Sequence, residues 1–263
     1  MTPDFIAILA LLGALGGFTS GLLGVGGGVV MFPVLLYVPS LLGFERLDAK
    51  TVAAVVVAQV FFSASIAGAA HFHNGRVHGR LTLIAGMTSA GGAFLGGIAS
   101  KWASDRILLL LFGIVTLFVT ATMLMPGPSG NRDNVPTDQV VVPTFPLSIF
   151  SVVSGVLAGL LGSGNFIFPP LLIYILKVPT RIAIGSSLFI ALINTSAGFL
   201  GKLLTGQIPF LLTFFVVVGA AIGALAGERV HRRLSTIVLR RIYAALVALI
   251  GVRIWLTILG LDS

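Results

Sequence analysis

The chain contains no cysteine and very little charge. Of its 263 residues only 9% are charged, and just 8 of these are Asp or Glu, against 57% hydrophobic residues. Without cysteine there is no disulfide framework, thiolate metal site or thiol redox centre. A soluble domain carries about a quarter charged residues, so this scarcity excludes a water-soluble globule, a nucleic-acid module and a disordered tail. The 16 Lys and Arg bring the pI to about 10.9, yet they are spread thinly, and no basic run is interleaved with aromatics. Nucleic acid is therefore not an expected partner. A mean hydropathy of +1.10 makes the chain an integral membrane protein, with the lipid bilayer as its surroundings and its basic excess in loops. Lys and Arg are also missing ahead of the first apolar run, MTPDFIAILA. A secretory leader needs such a basic start, so this segment reads as a retained membrane helix.

Stretches without charge count the spans. They run 40 residues from Asp4 to Glu45, then 25 from Lys50 to Arg76, 20 from Arg80 to Lys101 and 25 from Arg106 to Arg132. The second half has 38 from Asp138 to Lys177, 20 from Arg181 to Lys202 and 25 from Lys202 to Glu228, then an apolar end interrupted by Arg253. One membrane helix takes about 20 residues, and the texture lacks the alternation of an outer-membrane barrel. The expected fold is an all-α polytopic membrane protein. The two longest stretches are each punctured by glycine and proline: GLLGVGGGVVMFPVLL over 21–36 and GLLGSGNFIFPPLL over 159–172. The apolar segment beyond each puncture is too short to cross a core of about 30 Å. Each long stretch is thus a full helix and a short one joined by broken backbone.

The two punctures align. Gly21, Leu22, Leu23, Gly24 and Gly26 face Gly159, Leu160, Leu161, Gly162 and Gly164, and Pro33 faces Pro170. Downstream, Ala67-Gly68 matches Ala197-Gly198, and Gly92 and Gly96 match Gly223 and Gly227. The expected organisation is a first repeat of four to five membrane segments over 1–125, a Pro/Gly-rich linker over 126–143 and a second repeat over 144–263. Such duplication is a habit of secondary transporters. The arginine-rich loop Arg229–Arg241 belongs in the cytoplasm and the C-terminus outside. If each long stretch returns to its own side, the repeats are inverted; if each is one kinked span, they are parallel and the spans number eight. The length of the stretches favours inversion, whereas the Lys/Arg counts favour eight spans.

Non-helical backbone at membrane depth survives only where it is buried or lines a wet cavity, so matched breaks mark a site between the repeats. Gly24, Gly26, Gly27 and Gly28 allow close backbone approach, and the short helices begin with unpaired N–H groups that favour an anion. Pro33 and the Pro169-Pro170 pair are expected in first turns, where a missing N–H costs least. Gly162, Ser163, Gly164 and Asn165 form the second half of this cage. Glycines spaced by four elsewhere, such as Gly13/Gly17/Gly21 and Gly155/Gly159, read as packing positions. No acidic residue falls well inside a span, which argues against a cation substrate. The polar residues inside spans are Gln59, Ser63, Ser65, Thr88, Ser89, Ser186, Ser187, Asn194, Thr195 and Ser196. Hydroxyls among them can bond back to their own helix, whereas Gln59 and Asn194 are costlier to bury. With these, Ser186 and Ser187 complete the candidate substrate-binding set. His71, His73 and His78 could hold a metal in a membrane enzyme or assembly factor, but without a carboxylate nearby they read as interfacial loop residues. Neither a metal nor a cofactor is expected. Arg76, Arg80, Lys101 and Lys202 either draw an anion to the mouth or obey the positive-inside bias.

The G-L-L-G-x-G-G-G run followed by proline and Leu-Leu, with its degraded copy in the second half, resembles the sulfite exporter TauE/SafE family. The resemblance covers nearly the whole chain and departs from the pattern where Ser163-Gly164-Asn165 replaces the triple glycine. It implies an inner-membrane permease for sulfite, sulfonates or related sulfur-containing anions. A small anion is the expected partner, moved by alternating access around the paired breaks, with a passive anion channel as the alternative.

Overall fold

The computed structural model describes residues 2–23, 26–73, 77–124, 144–231 and 233–260, and leaves out the side chains of 67–73, 123, 124, 181, 236 and 240. The expected linker over 126–143 lies outside the described residues. Among the described residues there are ten helices: α1 (Pro3–Leu23), α2 (Gly28–Leu41), α3 (Ala49–His73), α4 (Gly79–Ala99), α5 (Asp105–Leu124), α6 (Thr144–Leu161), α7 (Gly164–Ile175), α8 (Thr180–Leu204), α9 (Phe210–His231) and α10 (Thr236–Ile258). The same residues contain no strand. Seven helices (α1, α3, α4, α5, α6, α8 and α9) are long and apolar enough to cross a membrane. The fold is all-α, as the charge-free stretches predict, and its outer surface carries bare Leu11, Leu95, Leu117, Phe145, Phe214, Ile222 and Leu249. Lipid rather than water suits such a surface.

The two punctured stretches form a long helix and a short return. At 14 residues, α2 is about 21 Å long, too short to cross. It folds back along α1: Gly16 packs on Met31, and the Phe5 ring lies 5.0 Å from that of Phe44, beyond the end of α2. The α7 segment is irregular, a 3₁₀ turn over Gly164–Ile167, a single α turn over Phe168–Pro170 and a π turn over Leu171–Ile175. Pro169 and Pro170 cause this, because neither has an N–H to give to the carbonyl four residues back. The carbonyl orphaned by Pro170 is that of Phe166, and the buried Tyr243 hydroxyl of α10 donates to it instead. The prolines of α7 follow its opening 3₁₀ turn and so lie in its second turn, not the first. Pro33 likewise lies in the second turn of α2, because the left-handed Gly27 starts that helix earlier, at Gly28.

Glycine ridges fix the long helices. On α1, a Cβ added at Gly13, Gly17 or Gly21 would overlap the carbonyls of Val216, Ala220 and Ala224 on α9, and Gly219, Gly223 and Gly227 of α9 press on Ala10, Ala14 and Phe18 in turn. The numbers rise together, so α1 and α9 run parallel. The same construction joins α4 to α6: Gly92 and Gly96 press on Val152 and Val156, and Gly155 and Gly159 on Ser89 and Ala93. Small residues at this spacing let backbones approach closely. Conversely, α5 and α10 cross antiparallel, with Gly113 against Ile254 and Ile258, Gly251 against Thr116, and the Trp255 Nε1–H donating to Gly113 O at 3.2 Å. Behind the two short helices, the fully buried rings of Phe32 (α2), Phe112 (α5) and Phe166 (α7) pile up with centroids 4.6 and 5.6 Å apart.

Candidate functional site

The first break turns on Gly26 and Gly27, both left-handed at φ 76° and 73°, where a side chain would be strained. Its floor is α3. A Cβ at Gly26 would overlap Val60 Cγ1, and the Gln59 Nε2 amide donates to Gly26 O at 3.4 Å and to Ser63 Oγ at 2.9 Å. Ser20 of α1 closes the other side, its Cβ 3.2 Å from where a Gly27 Cβ would stand. Gly24 lies outside the described residues.

The second break turns on Gly162, left-handed at φ 71°. Its backbone lies on α3, so that a Cβ would overlap the Ala53 carbonyl. Ser163, Gly164 and Asn165 come next, all buried. The Asn194 Nδ2 amide of α8 donates to Asn165 Oδ1.

The two breaks touch. A Cβ at Gly28 would stand 2.6 Å from Ser163 Cβ and 3.0 Å from Val60 Cγ2. Neither Gly27 before α2 nor Ser163 before α7 supplies a side-chain cap to the first N–H groups of its helix. Around this junction five buried side-chain atoms have no hydrogen-bond partner: Ser20 Oγ, Gln59 Oε1, Ser163 Oγ, Asn165 Nδ2 and Asn194 Oδ1. Each such atom costs about 1–3 kcal/mol. Buried polar atoms are normally satisfied, so a cluster of them beside two uncapped helix starts makes this junction the candidate site for a polar guest. The Ser20 and Ser163 hydroxyls and Asn165 Nδ2 can donate there together with backbone N–H groups, Gln59 Oε1 and Asn194 Oδ1 can only accept, and none of these residues carries a carboxylate.

The structure thus brings together Gly26, Gly27, Gly28, Gly162, Ser163, Gly164, Asn165, Gln59 and Asn194. Ser186 and Ser187 are buried on α8 but engaged elsewhere: Ser186 Oγ accepts from the His78 N–H at 3.0 Å, and Ser187 Oγ donates to Ile184 O at 2.8 Å. Ser65, Thr88, Ser89, Thr195 and Ser196 also bond back to carbonyls of their own helices. The His78 ring caps α4, its Nδ1 accepting from the Leu81 N–H at 3.1 Å, while the His71 and His73 side chains lie outside the described residues. Among the described residues no group of three metal-ligating side chains occurs. Ser20, Val60 and Tyr243 complete the site without any signal of their own in the sequence; only the missing N–H of Pro170 hints that Phe166 O needs a donor. Two charged residues are more deeply placed than their positions near helix ends suggest: Glu228 and Lys202, 6% and 0% exposed.

Residues 9–254 match the family described as sulfite exporter TauE/SafE. A probable membrane transporter protein of Xylella fastidiosa (strain Temecula1) is 28% identical over 261 residues, covering 96% of this chain and 95% of its own. The probable membrane transporter protein YunE of Bacillus subtilis (strain 168) is 23% identical over 259 residues, 93% of this chain and 95% of its own. Another Xylella fastidiosa protein of the same description (strain 9a5c) is 32% identical over 189 residues, 72% of this chain and 70% of its own. No solved structure matches the chain. The chain therefore belongs to the sulfite exporter TauE/SafE family and is a multi-pass membrane transporter, not an enzyme.

Proposed function

We propose that the protein is a secondary transporter of a small anion, a sulfur-containing oxyanion such as sulfite or a sulfonate, bound where the two breaks meet. The observation that carries this reading is the contact of Gly28 with Ser163, ringed by five unpartnered buried polar atoms. Anions suit uncapped helix starts, and the Ser20 and Ser163 hydroxyls and Asn165 Nδ2 can donate to an oxyanion. The absence of a carboxylate from the cage supports an anion over a cation.

Alternating access would arise from a two-fold design. Residues 1–125 and 144–263 would be inverted repeats, in which α1 to α5 correspond to α6 to α10. Three observations support inversion. α5 and α10 run antiparallel; α1 packs on α9 just as its counterpart α6 packs on α4, so the halves exchange partners; and α2 returns to the side where α1 begins. Rocking of one half against the other would expose the junction to each side in turn. The arginines from Arg229 to Arg241, around the turn between α9 and α10, support a cytoplasmic position for that turn and an outside position for the C-terminus, with the inner membrane as the location.

The test is thermal stabilisation of purified protein by sulfite, sulfate, thiosulfate, taurine and sulfoacetate, with chloride as control. A ligand at 100 times its Kd adds about 2.7 kcal/mol. Selective stabilisation by one sulfur anion, lost in Gly26→Leu, is expected; stabilisation by none of them would remove this substrate class.

A further inference from the structure

One buried charge is left unexplained by the cage. Lys202 sits in the last turn of α8 and is fully buried. Its ammonium donates to Ser100 Oγ at 2.6 Å and, at a long 3.4 Å, to Leu160 O. Among the described residues it has these two partners and no carboxylate. An ammonium has three donors, and burying an ion without an opposite charge is costly.

The surroundings offset part of that cost. Ser100 comes directly after α4, Leu160 lies in the last turn of α6, and Lys202 is on the last turn of α8, so three helix C-termini turn their partial negative charge toward the ammonium. The Ser100 hydroxyl also lies 2.7 Å from Gly97 O and 2.8 Å from Gln207 Oε1, which holds the group in a wider network. Capping alone does not require a lysine here. The alignment that pairs Gly92 and Gly96 with Gly223 and Gly227 pairs Ser100 with His231, and Leu160 with Leu22. Beside the first break His231 Nδ1, from α9, meets Leu22 O at 2.7 Å, so an imidazole serves that carbonyl. Among the described residues an ammonium is added only beside the second break, at a carbonyl three residues before Ser163, whose hydroxyl is unpartnered.

We propose that Lys202 is the countercharge for the transported oxyanion, a charged station beside the second break between α4, α6 and α8. The inference rests on the anion reading above. The long bond to Leu160 O lets the ammonium turn to the anion while keeping Ser100, and a dianion gains more from it than a monoanion.

Binding of sulfate and sulfite to the purified full chain, read by calorimetry, tests it with Lys202→Gln, Lys202→Arg and Gly28→Ala. Glutamine can still donate to Ser100 Oγ and Leu160 O but carries no charge. Affinity for sulfate should fall at least tenfold in Lys202→Gln and far less in Lys202→Arg. Lys202→Met, which fills the space of the stem, replaces the glutamine variant should that not fold. Wild-type affinity in Lys202→Gln or Lys202→Met, with binding lost in Gly28→Ala, would overturn the countercharge and leave the anion cage standing. Equal losses in Lys202→Arg and Lys202→Gln would also overturn it, since charge would then not matter. If the wild-type chain binds neither anion, the cage reading fails first, and Lys202 with it.

Discussion

Ser163 stands at the point where the two halves of the molecule meet, and its hydroxyl is both buried and without a partner. On the proposed reading, that hydroxyl donates to the anion. Replacing it by alanine removes an unsatisfied hydroxyl, so Ser163→Ala should leave thermal stability unchanged or raise it by up to about 1 kcal/mol. The same change should weaken oxyanion binding about ten- to a hundredfold, because a hydrogen bond to a charged group is worth about 1.5–3 kcal/mol. Parallel unfolding and binding curves check both halves of this expectation. A loss of stability without loss of binding would make Ser163 a structural residue. Gln59 and Asn194 were legible in the sequence as costly amides inside spans, and both reach the junction. Ser186 and Ser187 shared their polarity but not their direction: a hydroxyl can be satisfied by its own helix or by a neighbouring backbone N–H, and sequence does not reveal which.

Helices here are held by what glycine omits and by what proline leaves open. Each α1 glycine at the spacing of four seats a carbonyl of α9, and the α4–α6 pair repeats the arrangement. Gly17→Val and Gly155→Val should therefore each destabilise the fold by about 1–3 kcal/mol, the usual range for overpacking, seen as a lower melting temperature in detergent. The spacing was readable from the sequence, but the partner was not, since a ridge of small residues does not say which helix it meets. Proline acts at longer range. Because Pro170 gives no N–H to Phe166 O, the Tyr243 hydroxyl of α10 serves that carbonyl. Tyr243→Phe should cost about 1–3 kcal/mol by stranding it, and an equally stable phenylalanine variant would show that the α7 backbone finds another donor. Nothing in the sequence near Tyr243 marks it out, because its task is set by a residue 73 positions earlier.

At the scale of the whole molecule, the apolar stretches and their two punctures carried the helical membrane fold directly, because charge is excluded from lipid regardless of packing. Direction is harder to read, since the charge counts and the stretch lengths pointed different ways. The Phe5–Phe44 contact and the antiparallel crossing of α5 and α10 support the inverted arrangement proposed above, between which and the parallel one counting did not choose. With α1 parallel to α9, the proposed inverted arrangement would put the start of α1 and the end of α10 on one face and the Arg233 turn on the other. The chain has no cysteine of its own, so single cysteines at Thr2, Gly260 and Arg233 report cleanly. An impermeant thiol reagent outside intact cells should label the first two and spare the third; labelling of Arg233→Cys would reverse the orientation.

The paired breaks as the transport site are tested most directly by flux. Proteoliposomes holding unlabelled sulfite should take up radiolabelled sulfite above the level of simple equilibration, and Gly28→Leu, reconstituted to the same density, should not. Equal uptake by Gly28→Leu and the wild-type chain would refute the junction of the breaks as the place where the anion binds.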